Sequence, residues 1–149
     1  EDWEGNMVRL ARKFETARSV VPPPEIDLDG ESNVGIISLG STWPAIEEAR
    51  AELAAKGLAT DFMRLRALPI NGEVRDFVQG HERNYVVEMN RDGQIFQILS
   101  LEMPELTGNL VSIAHMDGMP LTAEWIEEKL TAESDELRAT SHQTLAASD

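Results

Sequence analysis

Two segments of this sequence place glycine and polar residues where chemistry could be done. Gly40-Ser41-Thr42 follows a short apolar run and leads into a helix with Pro44 in its first turn. Glu88-Met89-Asn90-Arg91-Asp92-Gly93-Gln94 follows a second apolar run and leads into another helix. Unpaired N–H groups at a helix N-terminus attract an anion or a carboxylate. Thr42, Asn90 and Asp92 are equally suited to capping helices and shaping turns. His115 ends a further apolar run and is followed by Asp117-Gly118. His81, beside Glu82 and Arg83 in a helix-to-strand turn, reads as a solvated loop residue, and His142 lies near the C-terminus. No histidine has a metal-ligand partner at helical or hairpin spacing. Gly35 lies inside a strand and Gly40 stands alone, so there is no Gly-x-Gly-x-x-Gly fingerprint and no phosphate loop. Ser38 and Ser41 form no Gly-x-Ser-x-Gly elbow. No residue is therefore assigned to catalysis, cofactor binding or metal ligation. Gly40, Ser41, Thr42, Glu88, Asn90, Asp92, Gly93, Gln94, His115 and Asp117 remain as candidates for a binding crevice or an interface.

The elements that must position these loops alternate regularly. Val34 to Leu39, Leu58 to Leu65, Asn84 to Met89 and Leu110 to His115 read as strands. Helices are expected over Trp43 to Lys56, Glu73 to Gln79 and Gly93 to Glu102. Thr122 caps a last helix, with Leu121 and Ile126 at the two positions of a hydrophobic staple. Glu25 to Asp29 can add an edge strand. Such alternation with short connections predicts an α/β fold: a mostly parallel sheet covered by helices on both faces. If Val34–Leu39 and Asn84–Met89 are neighbours from which the chain winds in opposite directions, their loops flank a topological switch point, where open α/β sheets bind ligands. Upstream, residues 3 to 19 read as an amphipathic helix with Met7, Leu10, Phe14 and Ala17 on one face, followed by the stiff Pro22-Pro23-Pro24 connector. That helix fits two readings, an arm packed on its own domain or a linker descending from an upstream domain. The expected organisation is a linker and connector over 1–24, an α/β domain over 25–130, and a polar, partly disordered tail over 131–149.

Composition narrows the function classes. Thirteen Lys and Arg against 27 Asp and Glu give a net charge of -14, and Arg9, Arg12, Lys13 and Arg18 make the N-terminal helix the one basic segment. So acidic a surface repels nucleic acid and anionic lipid. No apolar run approaches the length of a membrane span. The chain has no cysteine, which excludes disulfides, thiolate catalysis and thiolate-ligated zinc or iron–sulfur sites within it.

Four segments carry a family resemblance. Val34-Gly35-Ile36-Ile37-Ser38-Leu39-Gly40-Ser41-Thr42 resembles the opening of the C-terminal domain of the alpha subunit of 2-oxoacid:ferredoxin oxidoreductases. Tyr85-Val86-Val87-Glu88-Met89-Asn90-Arg91-Asp92-Gly93-Gln94 matches that family's Glu-x-Asn-x-x-Gly-Gln pattern, and His115-Met116-Asp117-Gly118-Met119-Pro120-Leu121 its closing His-x-Asp-Gly-x-Pro-Leu segment. The stretch from Arg12 to Pro24 is similar to the family's interdomain connector. The likeness is strongest to the 2-oxoglutarate type. Pro69-Ile70-Asn71-Gly72 departs from it, since related chains often carry further proline there.

The resemblance implies a three-layer α/β/α sandwich like the transketolase C-terminal domain, on a five-stranded sheet ordered 1-3-2-4-5 with an antiparallel first strand. It implies an enzyme that converts a 2-oxoacid, coenzyme A and oxidised ferredoxin to acyl-CoA, carbon dioxide and reduced ferredoxin. Thiamine diphosphate and magnesium would lie between an upstream pyrimidine-binding domain of the same subunit and a beta subunit that also holds an iron–sulfur cluster. On this reading the chain is a cytoplasmic fragment that organises subunits, holds no cofactor and is inactive alone. Two alternatives stand beside it: the equivalent domain of a transketolase or dehydrogenase E1 component, and a free-standing module that binds a small anion.

Overall fold

The computed structural model describes residues 2–30 and 32–133. Of the tail expected over 131–149, residues 134–149 lie outside the described residues. The N-terminal helix α1 (Trp3–Val20) is capped by Asp2, whose carboxylate accepts from the Glu4 N–H. After the prolines come β1 (Glu25–Asp27), β2 (Val34–Leu39), α2 (Trp43–Ala55), β3 (Asp61–Leu65), α3 (Gly72–Gly80), β4 (Arg83–Glu88), α4 (Gln94–Glu102), a 3-10 turn (Pro104–Asn109) and β5 (Leu110–Ala114). A last helix, α5, covers 123–133. The Thr122 hydroxyl accepts from the Trp125 N–H, as expected of its cap, and Leu121 and Ile126 are both buried.

The five strands form one sheet in the order β1-β3-β2-β4-β5. β1 runs antiparallel to β3, and all other pairs are parallel. This is the order and polarity the resemblance implied. Alternation along the strands builds two cores. Ile36, Phe62, Tyr85, Val87 and Ile113 pack under α2 and α5 on one face. Ile37, Met63, Leu65, Val86 and Leu110 pack under α3 and α4 on the other. The result is a three-layer sandwich.

The third expected strand region is shorter than the sequence suggests. β3 begins at Asp61, because Leu58 to Thr60 serve as a connection: the Leu58 N–H closes onto the Leu53 carbonyl, and the Arg50 guanidinium donates twice to the Thr60 carbonyl.

Gly35 in β2 needs no unusual backbone. Its constraint is space: a Cβ there would lie 2.5 Å from Asn84 Oδ1 and 2.7 Å from Phe77 Cε1. Gly35→Ala is therefore expected to cost about 1–3 kcal/mol through overpacking, read as a shift of the denaturation midpoint at unchanged slope. An unchanged midpoint would mean that α3 can withdraw freely from the sheet.

Candidate functional site at the switch point

β2 and β4 are hydrogen-bonded neighbours. From β2 the chain moves through α2 to β3 on one side. From β4 it moves through α4 to β5 on the other. The gap between their C-terminal ends is thus a topological switch point. A cleft of about 220 Å³ opens there, lined by Leu39, Gly40, Ser41, Thr42, Glu88, Met89, Asn90, Gln94 and Ile95. Gly40 takes a φ of 87°, a left-handed conformation that favours glycine as the strand turns toward α2.

On the β4 side of this cleft the side-chain oxygens of Glu88 and Asn90 are committed to the protein itself, while Ser41 and Gln94 are exposed on its walls. Glu88 is buried at the end of β4. Its Oε1 accepts from the Ile95 N–H at 2.7 Å and from Asn90 Nδ2 at 2.8 Å; its Oε2 accepts from the Phe96 N–H at 3.0 Å. A carboxylate seven residues upstream therefore fills the anion-attracting end of α4, where Gly93 supplies no side-chain cap. Asn90 Oδ1 accepts from the Asp92, Gly93 and Gln94 N–H groups and so holds the turn. Gly93 has a φ of 63°, and a Cβ there would stand 2.7 Å from Ser112 Oγ. The Glu-x-Asn-x-x-Gly pattern is thus a self-contained device that starts α4, with Gln94 left on the cleft wall.

Other candidates fall elsewhere. Asp92 points away from the cleft, paired with Arg91, while its carbonyl accepts from Gln97 Nε2. Thr42 stands at the N-cap position of α2 but makes no side-chain cap bond. Its backbone is already in the helical region, and its hydroxyl donates instead to the Leu39 carbonyl at 3.4 Å. This corrects the expected cap. His115 and Asp117 form a separate pair at 3.3 Å past the end of β5, with the imidazole stacked on Trp125 at 4.6 Å between ring centroids.

The Met119 N–H, donated at 2.8 Å, holds Asp117 below the ordinary carboxylate range, with His115 adding to the effect. A depressed folded-state value stabilises the turn above the ordinary carboxylate pKa, and that contribution disappears as pH falls through the depressed value. The amide resonance of Met119 is accordingly expected to titrate in acid below the range of a free aspartate. Titration at the free value, or none, would remove the Asp117 contact from the account.

The opposite edge of the sheet holds what sequence reasoning missed. His81 is 6% exposed, not solvated. Its Nδ1 meets the Phe77 carbonyl at 2.7 Å and its Nε2 the Asp61 carboxylate at 3.0 Å. Asp61, 5% exposed, also accepts from the Asp29 N–H. Asn109 Nδ2 donates to the His81 carbonyl, and Asn84 Nδ2 to the Val78 carbonyl. This network joins the β1–β2 connection, β3, the end of α3 and the 3-10 turn at the N-terminal strand ends. A charged residue at the mouth of an apolar strand, Asp61, was the available signal.

Three comparisons with known proteins bear on this geometry. No family model matches the chain. A curated relative, 2-oxoacid:ferredoxin oxidoreductase 2, subunit alpha, from Aeropyrum pernix, is 31% identical over 120 residues, which cover 77% of this chain and 18% of the relative. Over these residues the chain is a homologue of the 2-oxoacid:ferredoxin oxidoreductase alpha subunits. The chain spans less than a fifth of that alpha subunit's length. A solved structure of 2-oxoglutarate:ferredoxin oxidoreductase from Magnetococcus marinus, with 2-oxoglutarate, coenzyme A and succinyl-CoA bound, aligns with a TM-score of 0.69. The alignment covers 89% of this chain and 24% of that one at 24% identity, so it shows a common fold. In the alpha-subunit homologue described here, the cleft is bordered by exposed Leu39 and Met89, and Met116 and Met119 stand exposed after β5.

Proposed function

We propose that the chain is the C-terminal domain of a 2-oxoacid:ferredoxin oxidoreductase alpha subunit, and that it organises subunits rather than performing chemistry. The observation that carries this reading is the state of the switch-point cleft. The groups that would receive a ligand there, Glu88 and Asn90 with the N–H groups of α4, are spent on one another. Beside Ser41 and Gln94, the same sheet edge exposes four large apolar side chains: Leu39, Met89, Met116 and Met119. Unbranched methionines adapt to many partner surfaces. The upstream pyrimidine-binding domain of the same subunit and the beta subunit are the partners that edge would meet.

The whole enzyme would oxidatively decarboxylate a 2-oxoacid, of which 2-oxoglutarate is the preferred candidate. One acyl group passes to coenzyme A, carbon dioxide leaves, and two electrons pass to ferredoxin. The residues present do not fit the cofactors of that reaction. Magnesium needs free oxygen donors, yet both oxygens of Glu88 and the Oδ1 of Asn90 already accept internal bonds. Among the described residues no group of three or more His, Asp or Glu could hold a metal. An iron–sulfur cluster needs thiolates, and the chain has none. These groups belong to other parts of the complex.

Purification of the native polypeptide that contains this sequence tests the reading. A co-purifying iron–sulfur subunit and 2-oxoacid-driven, coenzyme-A-dependent reduction of ferredoxin are expected. A native polypeptide that purifies without a partner and without that activity would refute it, and would favour the free-standing module.

A further inference from the structure

The imidazole of His81 follows the last turn of α3, is buried, and lies against the Phe77 ring at 4.3 Å between centroids. Both of its nitrogens meet acceptors. Nδ1 lies 2.7 Å from the Phe77 carbonyl, and Nε2 lies 3.0 Å from Asp61 Oδ2. A carbonyl oxygen has no proton to give, so Nδ1 must carry one. The carboxylate then decides the second contact. Asp61 Oδ1 accepts from the Asp29 N–H at 2.6 Å and Oδ2 faces the imidazole, so both oxygens are placed to accept, as those of an ionised carboxylate are. A bare Nε2 there would set one lone pair against another. Neutral imidazole has a single N–H, and two acceptors leave it one donor short.

We infer that His81 is held as an imidazolium paired with the Asp61 carboxylate, so that folding takes up one proton at this site in neutral and alkaline solution. The position favours that charge in two further ways. Nδ1–H completes a carbonyl in the last turn of α3, at the negative end of the helix dipole, where a cation is stabilised. The pair is neutral as a unit, so its burial removes no net charge from water.

The other charged groups nearby do not displace this pairing. Asp76 of α3 and Glu82 of the turn are exposed, and Glu82 Oε1 accepts from Asn33 Nδ2. Asp29 faces Asp61 with its N–H. Arg50 of α2 is occupied by the Asp27 carboxylate and the Thr60 carbonyl. Arg83 of β4 is half-buried two residues along the chain, and the 3-10 turn presents the neutral amide of Asn109.

The unfolded chain binds this proton only below about pH 6.5, the ordinary histidine value. Above that pH the native state holds more protons than the unfolded state, so stability falls as pH rises. Loss of the proton leaves a lone pair against the Asp61 carboxylate and loosens the end of α3, the start of β3 and the Asp29 connection together. The pair is a pH-sensitive fastening at the sheet edge opposite the switch-point cleft.

Nitrogen-15 resonances of the His81 ring in the 149-residue chain test this without a substitution. At about pH 7.5, a unit above the ordinary histidine value, both nitrogens are expected at imidazolium shifts. An unprotonated Nδ1 or Nε2 at that pH would overturn the inference. Urea denaturation at about pH 7.5 and about pH 8.5 reads the linked proton. Over that interval the wild-type folding constant is expected to fall several-fold relative to that of Asp61→Asn, up to the limit of about tenfold per pH unit for one proton. The amide of that variant can donate to a neutral Nε2, so its folding takes up no proton here. Parallel pH dependence in the two chains would also overturn the inference; should Asp61→Asn not fold, the ring resonances decide alone.

Discussion

Asp61→Ala is expected to destabilise the domain by about 3–5 kcal/mol, the usual cost of breaking a buried pair by removing one partner. The substitution leaves the Nε2 of His81 without an acceptor in a buried site and strips the Asp29 N–H of its acceptor as well. It also unpins the connection between the antiparallel edge strand β1 and the parallel sheet. Urea denaturation monitored by circular dichroism measures the loss. The double variant Asp61→Ala/His81→Leu separates the pair's own contribution from the cost of orphaning one member. It should recover much of the loss, because replacing both partners by apolar groups removes the unsatisfied ones. If Asp61→Ala costs less than about 1 kcal/mol, below the usual cost of leaving a buried polar group unsatisfied, the two groups are not a closed buried pair.

Glu88→Ala should cost about 2–4 kcal/mol, because hydrogen bonds to a charged group and a helix cap are lost together. The Ile95 and Phe96 N–H groups lose their carboxylate partner at the start of α4, and Asn90 loses the contact that orients it. The effect should be local as well as global: amide exchange in the first turn of α4 should accelerate more than in α2. Glu88→Gln, which keeps an acceptor oxygen but loses the charge, is expected to fall between the two. Equal exchange in wild type and Glu88→Ala would show that α4 is capped by something other than Glu88.

These two sites also show what could be read from the sequence and what could not. Strand positions were legible because Ile36–Ile37 and Tyr85–Val87 are short apolar runs whose alternate side chains are buried on both faces. Helix limits were legible where glycine or proline stops a pattern, as at Gly57 and Pro104. The strand order came from the resemblance, because nothing in periodicity alone tells which strands lie side by side. The loops that line the cleft were found, but the direction of Glu88 was not. One carboxylate can face a ligand or the N-terminus of the next helix, and only the return of the chain through Gly93 decides. His81 was misread because Glu82 and Arg83 beside it suggest solvent, while the partner that buries it, Asp61, is twenty residues away. Spacing rules see residues on one element; they do not see two strand ends brought together by a sheet.

The claim at the centre of this account is that the switch-point cleft has no ligand capacity of its own, because Glu88 and Asn90 already serve the fold. Titration calorimetry of thiamine diphosphate with magnesium, and separately of inorganic phosphate, into the 149-residue chain tests it most directly. The account predicts no saturable heat and no rise in melting temperature with either ligand. Saturable micromolar binding of either ligand that is lost in a Ser41→Trp variant, which fills the cleft, would contradict it.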